Sequence, residues 1–374
     1  MTSSVFLRRI AVGAVASLTV VLAACGSSSE GSESTPAAGG QTSAASSEAS
    51  SAAPSAPAGS SSGAAPSSGA ASSSAAGSGA AEPTSGGAAL DPQCGQDTRT
   101  IKHDLGETEI KGTPSKIVAL EFSFADDLAS IDVKPVGIAD DGDSSRIIPE
   151  VAEKIGDYTS VGKRQSPSLQ NIAALQPDLI IADSSRHKDI YDQLKAIAPT
   201  LELPANKATL QDNLDAARLV GLALNKCQEM ADRIAQNAST LAKYGEQLPG
   251  DVPPVLFGVG SDKSLTIHNA AGYLPSVLVE LGLKYLLPAD PSNPQAEESE
   301  ETLVTQNPAI LFVASTEKAP TIFDQWAKDP VGSQIQAVKD GKVFKVDSNL
   351  WSRAKGITAS EVVAAEVVQL LGGS

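Results

Sequence analysis

The chain is poor in the residues that build metal centres and redox sites, with three Cys, three His and two Met among 374 residues. His103, His187 and His268 stand far apart, and neither CxxC spacing nor a Cys/His cluster occurs, so a structural zinc site is not expected. Positive charge is also scarce: 28 Lys plus Arg face 44 Asp plus Glu, a net charge of −16. Phosphate contacts need clustered Lys and Arg, which argues against nucleic-acid binding. Beyond residue 90 there is no Gly-x-Ser-x-Gly elbow, and no Walker loop occurs, so hydrolase and nucleotide-hydrolysing readings fail and no enzyme is expected. Asp126-Asp127 and Asp140-Asp141-Gly142-Asp143 are carboxylate clusters, but a turn-rich Asp-Asp-Gly-Asp reads first as a loop. Beyond residue 25 no apolar run reaches 18 residues, so no later segment is expected to span a membrane.

The front end is different in kind. Arg8 and Arg9 precede an apolar stretch from Ile10 to Leu22, followed by Ala23-Ala24-Cys25-Gly26, which reads as a secretory signal peptide over residues 1–24. The Cys directly after Leu-Ala-Ala resembles a bacterial lipobox, in which Cys25 becomes the lipidated first residue of the mature chain and anchors it to the membrane; an ordinary signal peptide with a chance Cys is the other reading. Of the 65 residues from Gly26 to Leu90, 56 are Gly, Ala, Ser or Pro. Such a segment cannot bury enough apolar surface to offset the entropy of ordering. Residues 25–90 are therefore expected to be a lipidated Cys and a disordered tether, with an r.m.s. span of roughly 45 Å. Setting Cys25 aside leaves Cys94 and Cys227 in an exported, oxidising setting, where they either pair or remain two free buried thiols, pairing being the simpler outcome.

From residue 91 onward, short apolar strands alternate with amphipathic helices: Ile117-Val118-Ala119, Val136-Gly137-Ile138, Leu179-Ile180-Ile181-Ala182, Val255-Leu256-Phe257 and Ile310-Leu311-Phe312-Val313. The alternation predicts an α/β fold with mainly parallel sheets. One pattern occurs twice: Ser168 to Gln176 leads through Pro177 into the Leu179 strand, and Glu300 to Asn307 leads through Pro308 into the Ile310 strand. The repeat predicts a duplicated lobe. Between the copies, Met230, Ile234, Leu241 and Tyr244 share one face of a helix expected from Lys226 to about Gln247, which at ~1.5 Å per residue would span about 33 Å. Asn225 with Gln228 fits a capping box at its start. The predicted organisation is an N-terminal lobe over 91–225, a linker helix over 226–248 and a C-terminal lobe over 249–374. Lobes joined by one stiff helix are expected to hinge only slightly.

Several segments resemble a known family: Leu120-Glu121-Phe122-Ser123-Phe124, Val136 to Asp141, Ser160-Val161-Gly162-Lys163-Arg164, Ala182-Asp183-Ser184-Ser185-Arg186-His187, and Val346 to Gly356 with its Trp351-Ser352-Arg353-Ala354-Lys355-Gly356. Together they resemble the class III, helical-backbone solute-binding proteins of ABC importers for siderophores, haem and cobalamin, and most closely the iron(III) dicitrate-binding proteins. The resemblance covers nearly all of residues 112–371. It implies two Rossmann-like lobes joined by a single long helix. It also implies a cell-surface lipoprotein that captures an iron(III) chelate, such as ferric citrate, between the lobes and delivers it to an ABC permease. Alternatives are another siderophore or haem as cargo, with Tyr191 and His187 as the residues that keep haem open, or a wall-tethered sensor without transport. No cofactor is implied beyond the cargo, whose iron arrives already chelated without direct protein ligation, and a monomer is expected.

Arginine usage supports an anionic cargo. Of the seven Arg after residue 90, Arg218 and Arg233 fall on helices and Arg99 near the leader, where solvated faces are expected. Arg146, Arg164, Arg186 and Arg353 each follow a strand, and ligands of open α/β sheets bind outside the carboxyl ends of strands. Guanidinium forks take carboxylates in bidentate fashion. Ser123, Ser184 and Ser185 are candidate hydroxyl donors or helix caps, and Trp351, Phe122 and Phe124 are candidate walls, with Trp351 favoured because polar Asn349 and Ser352 flank it. The expected ligand set is Ser123, Arg146, Arg164, Arg186, Trp351, Arg353 and Lys355. At Lys355 the resembling proteins more often carry Arg. They also carry one surface Glu per lobe that docks on permease arginines. That site matches Glu301 in the second lobe but Gln170 in the first, where Glu150 or Glu153 could stand in. The run Glu297 to Glu301 otherwise reads as a solvated helix start.

Overall fold

A computed structural model describes residues 90–315 and 320–372. The chain divides into two units, Met1–Gly79 and Ala80–Ser374, and every described residue belongs to the second. The leader expected over residues 1–24, Cys25 and the tether up to residue 89 lie outside the described residues.

The chain opens with an antiparallel hairpin, β1 (Thr98–His103) and β2 (Gly106–Lys111), which the apolar-run reading missed. The first lobe continues with β3 (Ile117–Ala119), α1 (Phe122–Ser130), β4 (Gly137–Ile138), α2 (Pro149–Ile155) and β5 (Thr159–Ser160). A small ribbon, β6 (Gly162–Lys163) and β7 (Ser166–Pro167), leads to α3 (Leu169–Ala174), β8 (Leu179–Asp183), α4 (Tyr191–Lys195), β9 (Thr200–Leu203) and α5 (Leu210–Ala223). Strands β5-β4-β3-β8-β9 form one wholly parallel sheet. Its central strands are fully buried, as the continuous apolar runs in β3 and β8 require. The direction of winding reverses between β3 and β8, so their carboxyl ends flank the crevice where a ligand can lie.

After α6 (Cys227–Gly245) the second lobe contains β10 (Val255–Gly260), β11 (Leu265–His268), α7 (Tyr273–Glu280), β12 (Gln295–Glu298), α8 (Glu300–Gln306), β13 (Ile310–Ser315), α9 (Ile322–Trp326), α10 (Gln336–Lys339), β14 (Val343–Asp347) and α11 (Ile357–Gly372). Its order, β12-β11-β10-β13-β14, repeats that of the first lobe. Here β11 alone runs against the other four strands, because β10 turns directly into β11 through Ser261 to Ser264, and so tight a turn joins antiparallel strands. The duplication extends to detail. Ser168 Oγ accepts from the Asn171 N–H and Ser299 Oγ from the Thr302 N–H, each capping its helix. Gln176 and Asn307, at φ 49° and 46°, then end those helices in left-handed conformation just before Pro177 and Pro308.

Helix α6 is shorter than expected, about 28 Å at ~1.5 Å per residue, and buries Cys227, Met230, Ile234, Asn237 and Leu241. The expected capping box does not form. Asn225 takes a left-handed turn at φ 54° and its side chain accepts from the Gly95 N–H and donates to the Gln96 carbonyl, while Gln228 donates to Asp232. The tight α5–α6 turn spends Asn225 on the leader-side segment instead. The Cys94–Cys227 disulfide is formed, with Cα atoms 6.2 Å apart, and fixes the same segment.

Two arginines assigned to solvated faces are not on them. Arg99 is fully buried and donates to the carbonyls of Gln96, Gly112 and Ala223, the last at the carboxyl end of α5, where a cation is favoured. Arg233 makes a fork of 2.7 and 2.8 Å to Glu361, tying α6 to α11. Ala354, just before α11, and Ile357 and Ala359 at its start pack into first-lobe apolar clusters, while Leu210 of α5 joins the second-lobe cluster. The buried Asp126 carboxylate on α1 accepts the Thr358 and Ala359 N–H groups that open α11. The lobes thus share a helical layer, and the Asp126-Asp127 pair belongs to it.

Candidate ligand-binding cleft

A cavity of about 230 Å³ separates the carboxyl ends of the two sheets. Glu121, Arg164, Arg186 and Asn206 line it from the first lobe, and Thr266, His268, Tyr273, Gln295, Trp351, Arg353 and Lys355 from the second.

Glu121, directly beyond β3, is 4% exposed. Its carboxylate accepts from Arg186 Nη1 at 2.5 Å and Arg164 Nη1 at 3.4 Å. Arg186, in the turn after β8, also donates Nη2 to Asn206 Oδ1 at 2.6 Å. The turn is held by Asp183, whose Oδ1 accepts from the N–H groups of Ser185 and Arg186 and whose Oδ2 accepts from those of Ala205 and Asn206. Arg164 places Nε and Nη2 on Asp141 Oδ2 at 3.1 and 2.8 Å and lies 4.1 Å over the Phe122 ring. Burial would raise the Asp141 carboxyl, but the bonds from Arg164 overcome it and hold the group down at about 2. The Asp-rich turn therefore serves to brace an arginine.

Arg353 differs from these. It ends a π-helical turn, Asn349–Arg353, after β14, and its Nη1 donates to Ser348 Oγ and Asn349 Oδ1. Among the described residues no carboxylate pairs with it, and burial, followed by repulsion from Arg146 and Arg164, lowers its pKa. Lys355 reaches across the cleft to the Ala205 and Asn206 carbonyls of the first lobe. Burial brings its ammonium down to about 8, with Glu121 opposing and Arg186 adding to the fall. His268 edges against Phe257 and is pushed down to about 4 by burial and by Lys355, so it is neutral near pH 7. Counting Glu121 against three guanidiniums and one ammonium, the lining carries a clear positive excess.

The structure thus brings together Arg164, Arg186, Trp351, Arg353 and Lys355 from the expected set. Arg146 is not part of the lining; it pairs with Asp141 and Asp143 outside the cavity, since the loop that carries it turns back on its own carboxylates. Ser123 also stays out, buried within the first turn of α1. Ser184 and Ser185 donate to Asp104 and Asp183, making them local loop ties. Trp351 backs the cleft as core: it is 1% exposed, packs on Phe257 and Phe312, and donates Nε1–H to Glu366 at 2.8 Å. Phe124 is wholly core. His187 is buried, accepting from the Asp183 N–H and contacting the Arg164 carbonyl, and Tyr191 meets His103; neither lines the cavity. Glu121 was missed as a site residue, although a lone carboxylate ending an apolar strand run was its signal. Asn206, Thr266 and Gln295 carried none.

On the outer surface Glu301 is exposed two residues after its cap Ser299, and Gln170 is exposed two residues after Ser168, so the two positions are equivalent by geometry. Glu150 and Glu153 are exposed on α2. The acidic run is not wholly a helix start: Glu297 and Glu298 belong to edge strand β12, and α8 begins at Glu300.

Two α/β lobes of like topology, facing each other over a charged cleft, define a solute-binding protein. A family model described as periplasmic binding protein matches residues 117–350. The chain is 40% identical to the Fe(3+) dicitrate-binding periplasmic protein FecB of Escherichia coli over 272 residues, 72% of this chain and 89% of that protein. It is 38% identical to the Fe(3+)-citrate-binding protein YfmC of Bacillus subtilis, over 73% of this chain and 86% of that protein. The solved structure of Staphylococcus aureus SirA with staphyloferrin B superposes with a TM-score of 0.65 at 26% identity, covering 74% of this chain and 99% of that one. The chain belongs to the periplasmic binding protein family, whose members bind solutes and are not enzymes. No described helix is long and apolar enough to cross a membrane.

Proposed function

We propose that this protein captures a ferric chelate of the carboxylate type, ferric citrate foremost, between its lobes and hands it to an ABC permease for iron uptake. One observation carries the reading. Arg186, Arg353 and Lys355 face one cavity from both lobes, and Arg353 has no carboxylate partner among the described residues. Such a site suits a compact anion with several carboxylates, because guanidinium and ammonium groups make charge-assisted hydrogen bonds to carboxylate oxygens. The chelate brings its own metal coordination, and among the described residues no group of three His, Cys, Asp or Glu side chains is placed to hold a metal. The names of the two citrate-binding relatives point the same way.

In this reading Cys25 carries the lipid that anchors the chain outside the membrane, and the Ser/Ala/Gly-rich tether lets the monomeric domain reach its cargo. Exposed Glu301 docks on the permease, and Gln170 leaves the first lobe without the matching charge. Titration calorimetry of residues 91–374 with ferric citrate, iron-free citrate, a ferric hydroxamate, a ferric catecholate and haem tests the cargo. Saturable binding of ferric citrate at micromolar or tighter affinity supports the proposal. A response confined to another chelate keeps transport and replaces the cargo, and silence to all five overturns both.

A further inference from the structure

The cleft contains one carboxylate where an anion is expected to bind. On charge alone Glu121 opposes the cargo, and simple Coulomb attraction would be stronger without it. Its geometry shows another role. It stands at the reversal point of the first sheet, beyond the carboxyl end of β3 beside its neighbour β8, and accepts from Nη1 of Arg186 at 2.5 Å and, more loosely, from Nη1 of Arg164 at 3.4 Å. From its other side Arg164 is gripped by Asp141 and rests on Phe122, and Arg186 is held by Asn206. Neither Arg164 nor Arg186 is left to swing, although a free arginine carries several rotatable bonds whose ordering costs binding free energy.

We infer that Glu121 is a positioning residue: it joins Arg164 and Arg186 into one preset cationic unit, so that the cargo meets arms already ordered. The inference rests on an anionic cargo for this cleft. It makes Arg186 and Arg353 the arms that meet carboxylates, with Arg164 as the brace, since all three guanidinium nitrogens of Arg164 already point at Asp141 or Glu121.

The two roles of Glu121 predict opposite signs, which makes the test decisive. Glu121→Gln removes a negative charge from an anion site, so charge alone predicts tighter binding of ferric citrate. Lost positioning predicts binding weaker by about tenfold or more. Tighter or unchanged affinity overturns the inference. Glu121→Asp keeps the charge but shortens the reach by one methylene, and it answers the same question should the Gln variant not fold: weaker binding supports positioning, and wild-type affinity overturns it. A ligand-free readout separates this inference from the choice of cargo. The order parameter of the Arg186 Nε–H group, from ¹⁵N relaxation, should fall in Glu121→Gln while backbone values hold. Unchanged side-chain order overturns the inference whatever the cleft binds, whereas failure of the wild type to bind ferric citrate overturns only the cargo.

Discussion

Asp126 on the first lobe caps α11 of the second, with its Oδ1 3.0 Å from the Thr358 nitrogen and its Oδ2 2.9 Å from that of Ala359. Asp126→Ala leaves two buried N–H groups unpaired and should cost about 0.5–2 kcal/mol in denaturant unfolding. Asp126→Asn keeps one acceptor and should cost less. Burial raises this carboxyl from 3.8 to about 6, so its contribution is largest at low pH and declines as pH rises through 6. The Asn variant should lose that part of the pH dependence. With this clasp and the Arg233 to Glu361 fork in place, ligand-induced closure should be only a few degrees, and a large compaction in solution scattering would contradict it.

The arginines should separate by their partners. Arg186→Ala and Arg353→Ala should each weaken ferric citrate binding by roughly 1.5–3 kcal/mol, the scale of hydrogen bonds to charged groups. Arg146→Ala should change it by less than about 1 kcal/mol, because its pairs with Asp141 and Asp143 lie outside the cleft and stay partly in water. Calorimetry on the three variants decides, and an Arg146 effect equal to that of Arg353 would place the ligand elsewhere.

Lys355 sets a pH limit. With its ammonium brought down to about 8, affinity for an anion should be level below pH 8 and fall as pH rises beyond it. Lys355→Met should bind more weakly at pH 7 and lack that fall. A matching decline in the Met variant would assign it to the chelate itself.

Glu202 on β9 is fully buried, and neither carboxylate oxygen has a hydrogen-bond partner. Burial, aided by Asp183 and Asp104, raises it from 4.5 to about 8. The folded protein therefore holds a proton there that the unfolded chain releases, and stability should fall as pH rises from about 4.5 through 8. Glu202→Gln should flatten that slope, with a gain of about 2–4 °C in Tm at pH 8.5 for each kcal/mol recovered. Equal slopes in both proteins would refute the burial argument.

The Cys94–Cys227 bridge spans 133 residues, for which chain entropy predicts about 5 kcal/mol at most. Reduction, or Ser at both positions, should lower Tm clearly and leave ligand affinity unchanged, since neither residue lines the cleft.

Local pattern carried much of this fold. Both copies of the helix-Pro-strand unit, all five apolar strands and the core face of α6 were legible, because burial imposes periodicity on consecutive residues. The hairpin was not, since charged Arg99 occupies a core position in β1 and breaks the alternation. Neither was the cap of α6, because Asn225 bonds to residues some 130 positions away. In the site, strand-following arginines marked the cleft, but Arg146 and Arg164 look alike in sequence. Only the placement of Asp141 and Asp143 turns one outward and braces the other.

The sequence by itself determined the class of fold, the duplication, the acidic balance that disfavours nucleic acid, and the arginines that follow strands. These follow from residue type and spacing along the chain. The tertiary structure alone decided which cations share the cleft, that Trp351 backs it from the core, that Glu121 joins two of its arms, and that α11 clasps the lobes together. Each of those depends on distance between segments remote in sequence, and hydrogen bonding and desolvation act through that distance.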